Sequence, residues 1–169
     1  MVRRDGEQVR CFTRGGHDWA DRFPAIADAA SRIKAASFLI DGEAVISNED
    51  GTLDFHALRS KRRGHEAVLY TFDLIEHDGD DLRDLPLLER KQRLKNLLGG
   101  KSKRRAIRFA EHLTDDGQTV FEHVCRMGIE GIVSKRTHAP YRSGPSRTWL
   151  KCKNPESAAV RREREEQWR

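Results

Sequence analysis

Cysteine is scarce in this 169-residue chain, with three in all, at positions 11, 125 and 152. An odd number at such wide spacing excludes a disulfide framework and matches no metal-ligand pattern. A reducing, cytoplasmic setting is the default expectation. Long apolar runs are also missing. No stretch approaches the ~18 residues that a membrane-spanning helix needs. The start is polar and charged, which excludes a secretory leader. Proline numbers five and aromatic residues make up 7%, with no low-complexity segment or internal repeat.

What remains is a soluble, globular composition, 37% hydrophobic and 35% charged, and long enough to bury a core. The formal net charge of +5 is unevenly spread. Residues 1–80 sum to −4 and residues 81–169 to +9. A basic second half points to a polyanionic partner, because Lys and Arg displace counterions from phosphate backbones. The alternative is a solvated charged face with no partner.

Alternating strand and helix signals predict an α+β fold. "VRRDGEQVRCFTR" (2–14) alternates around Asp5-Gly6 and predicts a hairpin. After Pro24, "AIADAASRIKAA" predicts a short helix with Ile26, Ala29, Ala30 and Ile33 on one face. "SFLIDGEAVIS" and "EAVLYTFDLIE" predict buried strands, with a helical turn at "LDFHALRS" between them. Pro86 is placed near the N1 position of a helix, "PLLERKQRLKNLL", with Gly99 as its C′ residue. A basic loop, "KSKRR", leads to a short strand, "AIRFAEH". "DGQTVFEHVCRMG" predicts a helix with an apolar stripe of Val120, Phe121, Val124 and Met127. "GIVSKR" and "RTWLKCK" predict two more strands, and residues 156–169 a charged helix or tail. No domain boundary stands out.

Three strands carry polar groups that need an explanation. Period-two alternation puts Phe38, Ile40, Ala44 and Ile46 on one face and Asp41 with Glu43 on the other. Two carboxylates on a buried strand call for a cation, a ribose hydroxyl or a basic side chain. The other explanation is a face turned to water. Glu130 heads the "GIVSKR" strand, where a lone Glu is ordinarily a surface residue. Arg147, Trp149, Lys151 and Lys153 share a face. Neighbouring lysines repel unless an anion sits between them, and a polyphosphate would serve. An edge strand defended by lysine is the rival. Phe72 is expected to share a face with Tyr70 and Leu74, either stacked on a base or packed in the core.

The order of these elements is more specific than any one of them. "TRGG", "IDGEAV", "YTFDLIEHDG", "EGIVSKR" and "WLKCK" follow one another as the motifs of ATP-dependent DNA ligases do. The chain resembles the ligase modules of bacterial non-homologous end-joining ligases over nearly its whole length, Val2 to Pro155. The resemblance implies a nucleotidyltransferase fold (ATP-grasp-like) of two mostly antiparallel sheets with flanking helices, incomplete at the N-terminus. Residues 1–155 would form the partial domain, with no OB-fold domain after it. In this family a lysine attacks the ATP α-phosphate, releasing pyrophosphate. The lysyl-AMP passes AMP to a DNA 5′-phosphate, and the 3′-hydroxyl of the nick expels AMP.

By the same resemblance ATP and Mg2+ (or Mn2+) are the cofactors. The partners are nicked or broken double-stranded DNA and end-joining repair proteins, in the cytoplasm near the nucleoid. Arg14 would contact the nucleotide or a nearby DNA phosphate. Glu43 would hold the ribose or a metal-bound water, with Asp41 as the weaker candidate. Phe72 would stack on adenine, Glu130 would serve the metal, and Lys151 with Lys153 would clamp phosphates. The family's nucleophile motif, K-x-D-G-x-R, does not occur, because none of the nine lysines begins K-x-D-G. Arg3-Arg4-Asp5-Gly6 comes nearest, but arginine stays protonated and is a poor nucleophile. The expectation is that Asp5-Gly6 is the hairpin turn after the nucleophile strand. An RNA ligase or capping-type enzyme, and a non-catalytic DNA-binding remnant, are the rival functions.

Overall fold

The computed structural model describes residues 1–49, 53–54, 57–58, 60, 62–99, 106–144, 146–157 and 160. The "KSKRR" loop, positions 55, 56 and 59 of "LDFHALRS" and most of the C-terminal charged segment lie outside these residues. The chain divides into two compact units, Met1–Glu111 and His112–Arg169. The sequence reading found no such boundary. The formal charge is +2 in the first unit and +3 in the second, so the basic excess is shared between them rather than concentrated in one.

The first unit is built on a six-stranded sheet. Its strands are β1 (Val2–Asp5), β2 (Gln8–Cys11), β3 (Ser37–Val45), β4 (Val68–His77), β5 (Asp80–Asp81) and β6 (Ile107–Phe109). The path runs β2-β1-β3-β4-β5, and β6 also pairs with β4. All pairings are antiparallel except β4 with β6, which is parallel. Asp5-Gly6 is the expected hairpin turn, with Gly6 at φ +59°. Among the described residues this unit carries α1 (Pro24–Ser31) and α2 (Leu87–Leu98), with a helical turn at residues 57–58, as expected in "LDFHALRS", and a short 3-10 turn at Gly64–Glu66. Pro24 sits at the start of α1, where its missing N–H costs nothing. Pro86 is the residue before α2, not its first helical residue, since its ψ of 143° is extended.

Ile26 and Ala30 of α1 and Leu94 of α2 join Phe38, Ile40, Leu69, Leu74 and Ile107 in one buried cluster. Ile46 belongs to it and Ala44 packs against it, as the alternation in β3 predicts. Beneath α2 lies a fully buried ion pair. Arg90 donates to both Asp73 carboxylate oxygens, at 2.7 and 2.9 Å, and also to the Leu85 carbonyl. Asp73 accepts from the Leu74 N–H as well, at 3.0 Å. Buried charge is tolerable only when paired and hydrogen-bonded in this way.

The second unit holds α3 (Gly117–Arg126) and a hairpin of β7 (Gly131–Lys135) and β8 (Trp149–Lys153). Asp116 caps α3 by accepting from the Thr119 N–H at 2.9 Å. Val120, Phe121 and Val124 are half-buried, but Met127 is exposed. The helix ends at Arg126, and Gly128 turns the chain at φ +71°, so the predicted stripe loses its last member. Arg147 and Thr148 precede β8 and are not part of it.

Candidate nucleotide and phosphate site

Each unit contributes expected site residues, and each group has its own geometry. In the first unit they sit on β3, on β4 and in the turn after β2. Arg14 is exposed in the turn around Gly16, which is closed by Gly16 N–H to Thr13 O at 3.0 Å. Glu43 is exposed on β3, directly opposite Tyr70 on β4. Tyr70 is in turn opposite Arg108 on β6, whose guanidinium donates to the Tyr70 hydroxyl at 3.2 Å. Glu43, Tyr70 and Arg108 therefore form a row across three strands. The sequence placed Tyr70 beside Phe72 but gave no sign of its pairing with Arg108, because the parallel pairing of β6 has no local signal.

Phe72 is half-buried and lies at a break in the ladder. Gly42 faces Thr71 and Asp41 faces Asp73, leaving Phe72 as the extra residue of a bulge. This corrects the expected shared face. Leu69 and Leu74 are five residues apart, yet both enter the same core cluster. The extra residue shifts the alternation between them, so Phe72 and Leu74 are not simple same-face neighbours. Asp41 is half-buried, and its carboxylate accepts from the Gly42 N–H at 3.0 Å.

In the second unit Glu130 immediately precedes β7. Its carboxylate lies 3.1 Å from the Lys151 ammonium. Asn154 fixes the base of the hairpin. It is buried, its backbone N–H donates to Glu130 O at 2.7 Å, and its side chain donates to Ile129 O at 3.0 Å. Gly131, opposite Lys153, has no room for a side chain. A Cβ there would fall 2.1 Å from the Cys152 carbonyl oxygen, at a φ of +151°. Lys151 and Lys153 are exposed on a common face with Trp149. Glu130 thus offsets part of the repulsion that the sequence alone ascribed to an anion. Trp149 is itself engaged. The Lys135 ammonium lies 3.6 Å from its ring centre, and the Tyr141 ring meets it edge-on at 5.9 Å.

A cavity of about 1050 Å3 in the first unit lies elsewhere, between α1, α2 and β6. None of the expected site residues lines it. The Cys11 thiol is pushed up to about 11, first by burial and then by the Asp18 carboxylate. That holds it protonated and unreactive near neutrality.

This α+β architecture, with the carboxylate-bearing strand before the lysine hairpin, is that of the nucleotidyltransferase fold. The family model described as "ATP dependent DNA ligase domain" matches residues 1–153, and the chain belongs to that family. Among curated relatives it is 38% identical over 156 residues to the "Multifunctional non-homologous end joining protein LigD" of Pseudomonas aeruginosa. That match covers 90% of this chain and 18% of the relative. It is 34% identical to a "Probable DNA ligase" of Streptomyces coelicolor, over 90% of this chain and 32% of that protein. The chain therefore spans a third or less of these relatives' length. Among solved structures, the ligase domain from M. tuberculosis LigD matches with a TM-score of 0.73 and 27% identity. The match covers 90% of this chain and 50% of that domain. A mycobacterial DNA ligase D complexed with ATP and MES matches with the same TM-score, at 26% identity.

Proposed function

We propose that this chain is part of the nucleotidyltransferase of an ATP-dependent DNA ligase, binding ATP and the phosphates of a nicked or broken duplex during strand joining. The observation that carries the reading is the β7–β8 hairpin, which sets Lys151 and Lys153 on one face with Glu130 beside Lys151. Two ammonium groups on one strand face are suited to the charge that builds on a transferring phosphate. In the first unit Phe72 stacks on adenine, Glu43 holds the ribose or a metal-bound water, and Arg14 meets the nucleotide or a DNA phosphate.

For the divalent metal, Mg2+ or Mn2+, Glu43 would be the candidate carboxylate of the first unit and Glu130 that of the second. Among the described residues no group of three or more His, Cys, Asp or Glu is placed to form a metal cage. That fits a magnesium ion, which keeps several waters and takes one or two carboxylates with the substrate phosphates. When bound, it supplies charge neutralisation at the transferring phosphate. Glu130 would hold it with a carboxylate that now pairs with Lys151, and Lys151 would meet the phosphate. No helix among the described residues is long and apolar enough to cross a membrane. End-joining proteins as partners and a place near the nucleoid extend the same reading.

One sequence fact favours a second reading, a DNA-binding module that does not itself adenylate: none of the nine lysines stands in K-x-D-G. Intact mass after incubation with ATP and Mg2+ separates the two. One added AMP would place a nucleophile in this chain, and an unchanged mass supports the module. The shared claim of phosphate binding is tested by titrating ATP into the chain and into a Lys151→Ala/Lys153→Ala variant. The variant is expected to bind roughly 10-fold or more weakly, as loss of charge-assisted contacts implies. Equal affinity in a folded double variant would sink the assignment.

A further inference from the structure

The bulge in β4 is held in place by two residues that carry no expected role, Gly42 and Thr71. A Cβ at Gly42 would sit 2.7 Å from the Tyr70 carbonyl oxygen and 2.9 Å from Thr71 Cα. Only a glycine lets β4 approach β3 this closely. Thr71 is fully buried, and its hydroxyl donates to the Asp41 carbonyl at 2.6 Å. That hydroxyl supplies a bond from β4 to β3 beside the break, where Phe72 is the extra residue. The next residue, Asp73, is anchored by Arg90. Phe72 is thus bracketed by two tied neighbours, one through its hydroxyl and one through its carboxylate. Bulges re-aim side chains in this manner.

We infer that Gly42 and Thr71 are positioning residues, which fix the direction of the Phe72 ring by locking the bulge. The inference rests on the reading that this ring stacks on adenine. Gly42 fixes the strand separation and Thr71 the phase. Neither needs to touch the nucleotide. The consequence is a division of labour within binding. Loosening the lock should weaken recognition of the base and leave recognition of the phosphates intact.

The test labels the chain with 4-fluorophenylalanine and follows fluorine NMR. Seven phenylalanines are present, and Phe72→Leu identifies the resonance of interest. Thr71→Val keeps the branched shape and deletes the hydroxyl. Gly42→Ala, the harsher change, is the companion variant. Thr71→Val is expected to shift or broaden the Phe72 resonance while leaving that of the core residue Phe38 in place. Adenosine is expected to move the Phe72 line in the unmodified chain. Its affinity should fall roughly 2- to 10-fold in Thr71→Val, the size of one lost hydrogen bond. Inorganic tripolyphosphate should bind both forms equally. In a Phe72→Leu background the Thr71→Val effect on adenosine should vanish, because it acts through that ring.

A Phe72 resonance unchanged by Thr71→Val would overturn the inference, whatever adenosine does. So would an equal loss of adenosine affinity with and without the Phe72 ring. If adenosine fails to move the Phe72 line in the unmodified chain, the adenine-stacking role falls instead. The positioning claim is then judged on the resonance alone.

Discussion

One ion pair from each unit shows two opposite ways of holding charge. In residues 1–111, beside exposed pairs such as Arg83 with Asp81, Asp73 and Arg90 are both fully enclosed and satisfy one another. In residues 112–169, Lys151 and Glu130 pair in water, with side chains 59% and 37% exposed. The packing differs in the same sense. Phe38, Ile40 and Leu74 are wholly enclosed in the first unit, whereas α3 of the second buries none of its residues. A buried pair holds a scaffold but cannot leave its partner without large cost. An exposed pair contributes little and can exchange one anion for another. Lys151, proposed to meet a phosphate, sits where exchange is inexpensive.

Asp73→Ala should give the largest effect, because it strands a buried guanidinium. The expected loss is about 3–5 kcal/mol of stability in urea denaturation. Lys151→Ala, the matching change in the second unit, should cost at most about 1 kcal/mol. Similar losses for the two would erase the contrast. Gly131→Ala comes next, because the new Cβ meets the β8 backbone at an unfavourable φ. A penalty of about 1–3 kcal/mol is expected, read as faster amide exchange along β7 and β8 but not along β3. Asp116→Ala should remove the α3 cap at a cost of about 1 kcal/mol, seen as fraying of Thr119 and Val120.

The smallest effect is in acid. Asp78 is held below the usual carboxylate range by the Ser37 and Ala36 N–H groups, and Asp81 at about 2 by Arg83. A carboxylate depressed in the folded state contributes stability above its unfolded value of ~3.9, and loses it as pH falls through the folded value. The protection factors of the Ala36 and Ser37 amides, observed exchange corrected for the intrinsic base-catalysed rate, should therefore hold steady from pH 8 to 5 and fall below about pH 4. A fall already between pH 8 and 6 would point to another group.

Local patterns carried much of this architecture. The Asp5-Gly6 hairpin, Pro24 opening α1, and the alternation of Phe38, Ile40 and Ile46 were all legible, because each depends on neighbours in sequence. The order of "IDGEAV", "EGIVSKR" and "WLKCK" was enough to indicate the family. What escaped depends on distant partners. "TFDLIE" gives no sign that Asp73 is enclosed, and "LLERKQ" reads as an exposed helix until Arg90 is seen beneath it. The bulge at Phe72 was hidden because two-residue periodicity assumes an unbroken ladder. Asn154, which clamps the base of the lysine hairpin, looks in sequence like an ordinary residue ending a strand.

The Asp73–Arg90 pair also has a consequence for the order in which the chain is made. The two residues are 17 apart, so a ribosome releases the carboxylate well before its guanidinium. Until α2 emerges, closing β4 into the interior would enclose an unanswered negative charge. The central strand is thereby kept from settling early onto β3, however well their apolar faces match. Stalled nascent chains ending before Arg90 should stay open to protease along β4. Those extended past Leu98, with room for the exit tunnel, should become resistant in one step.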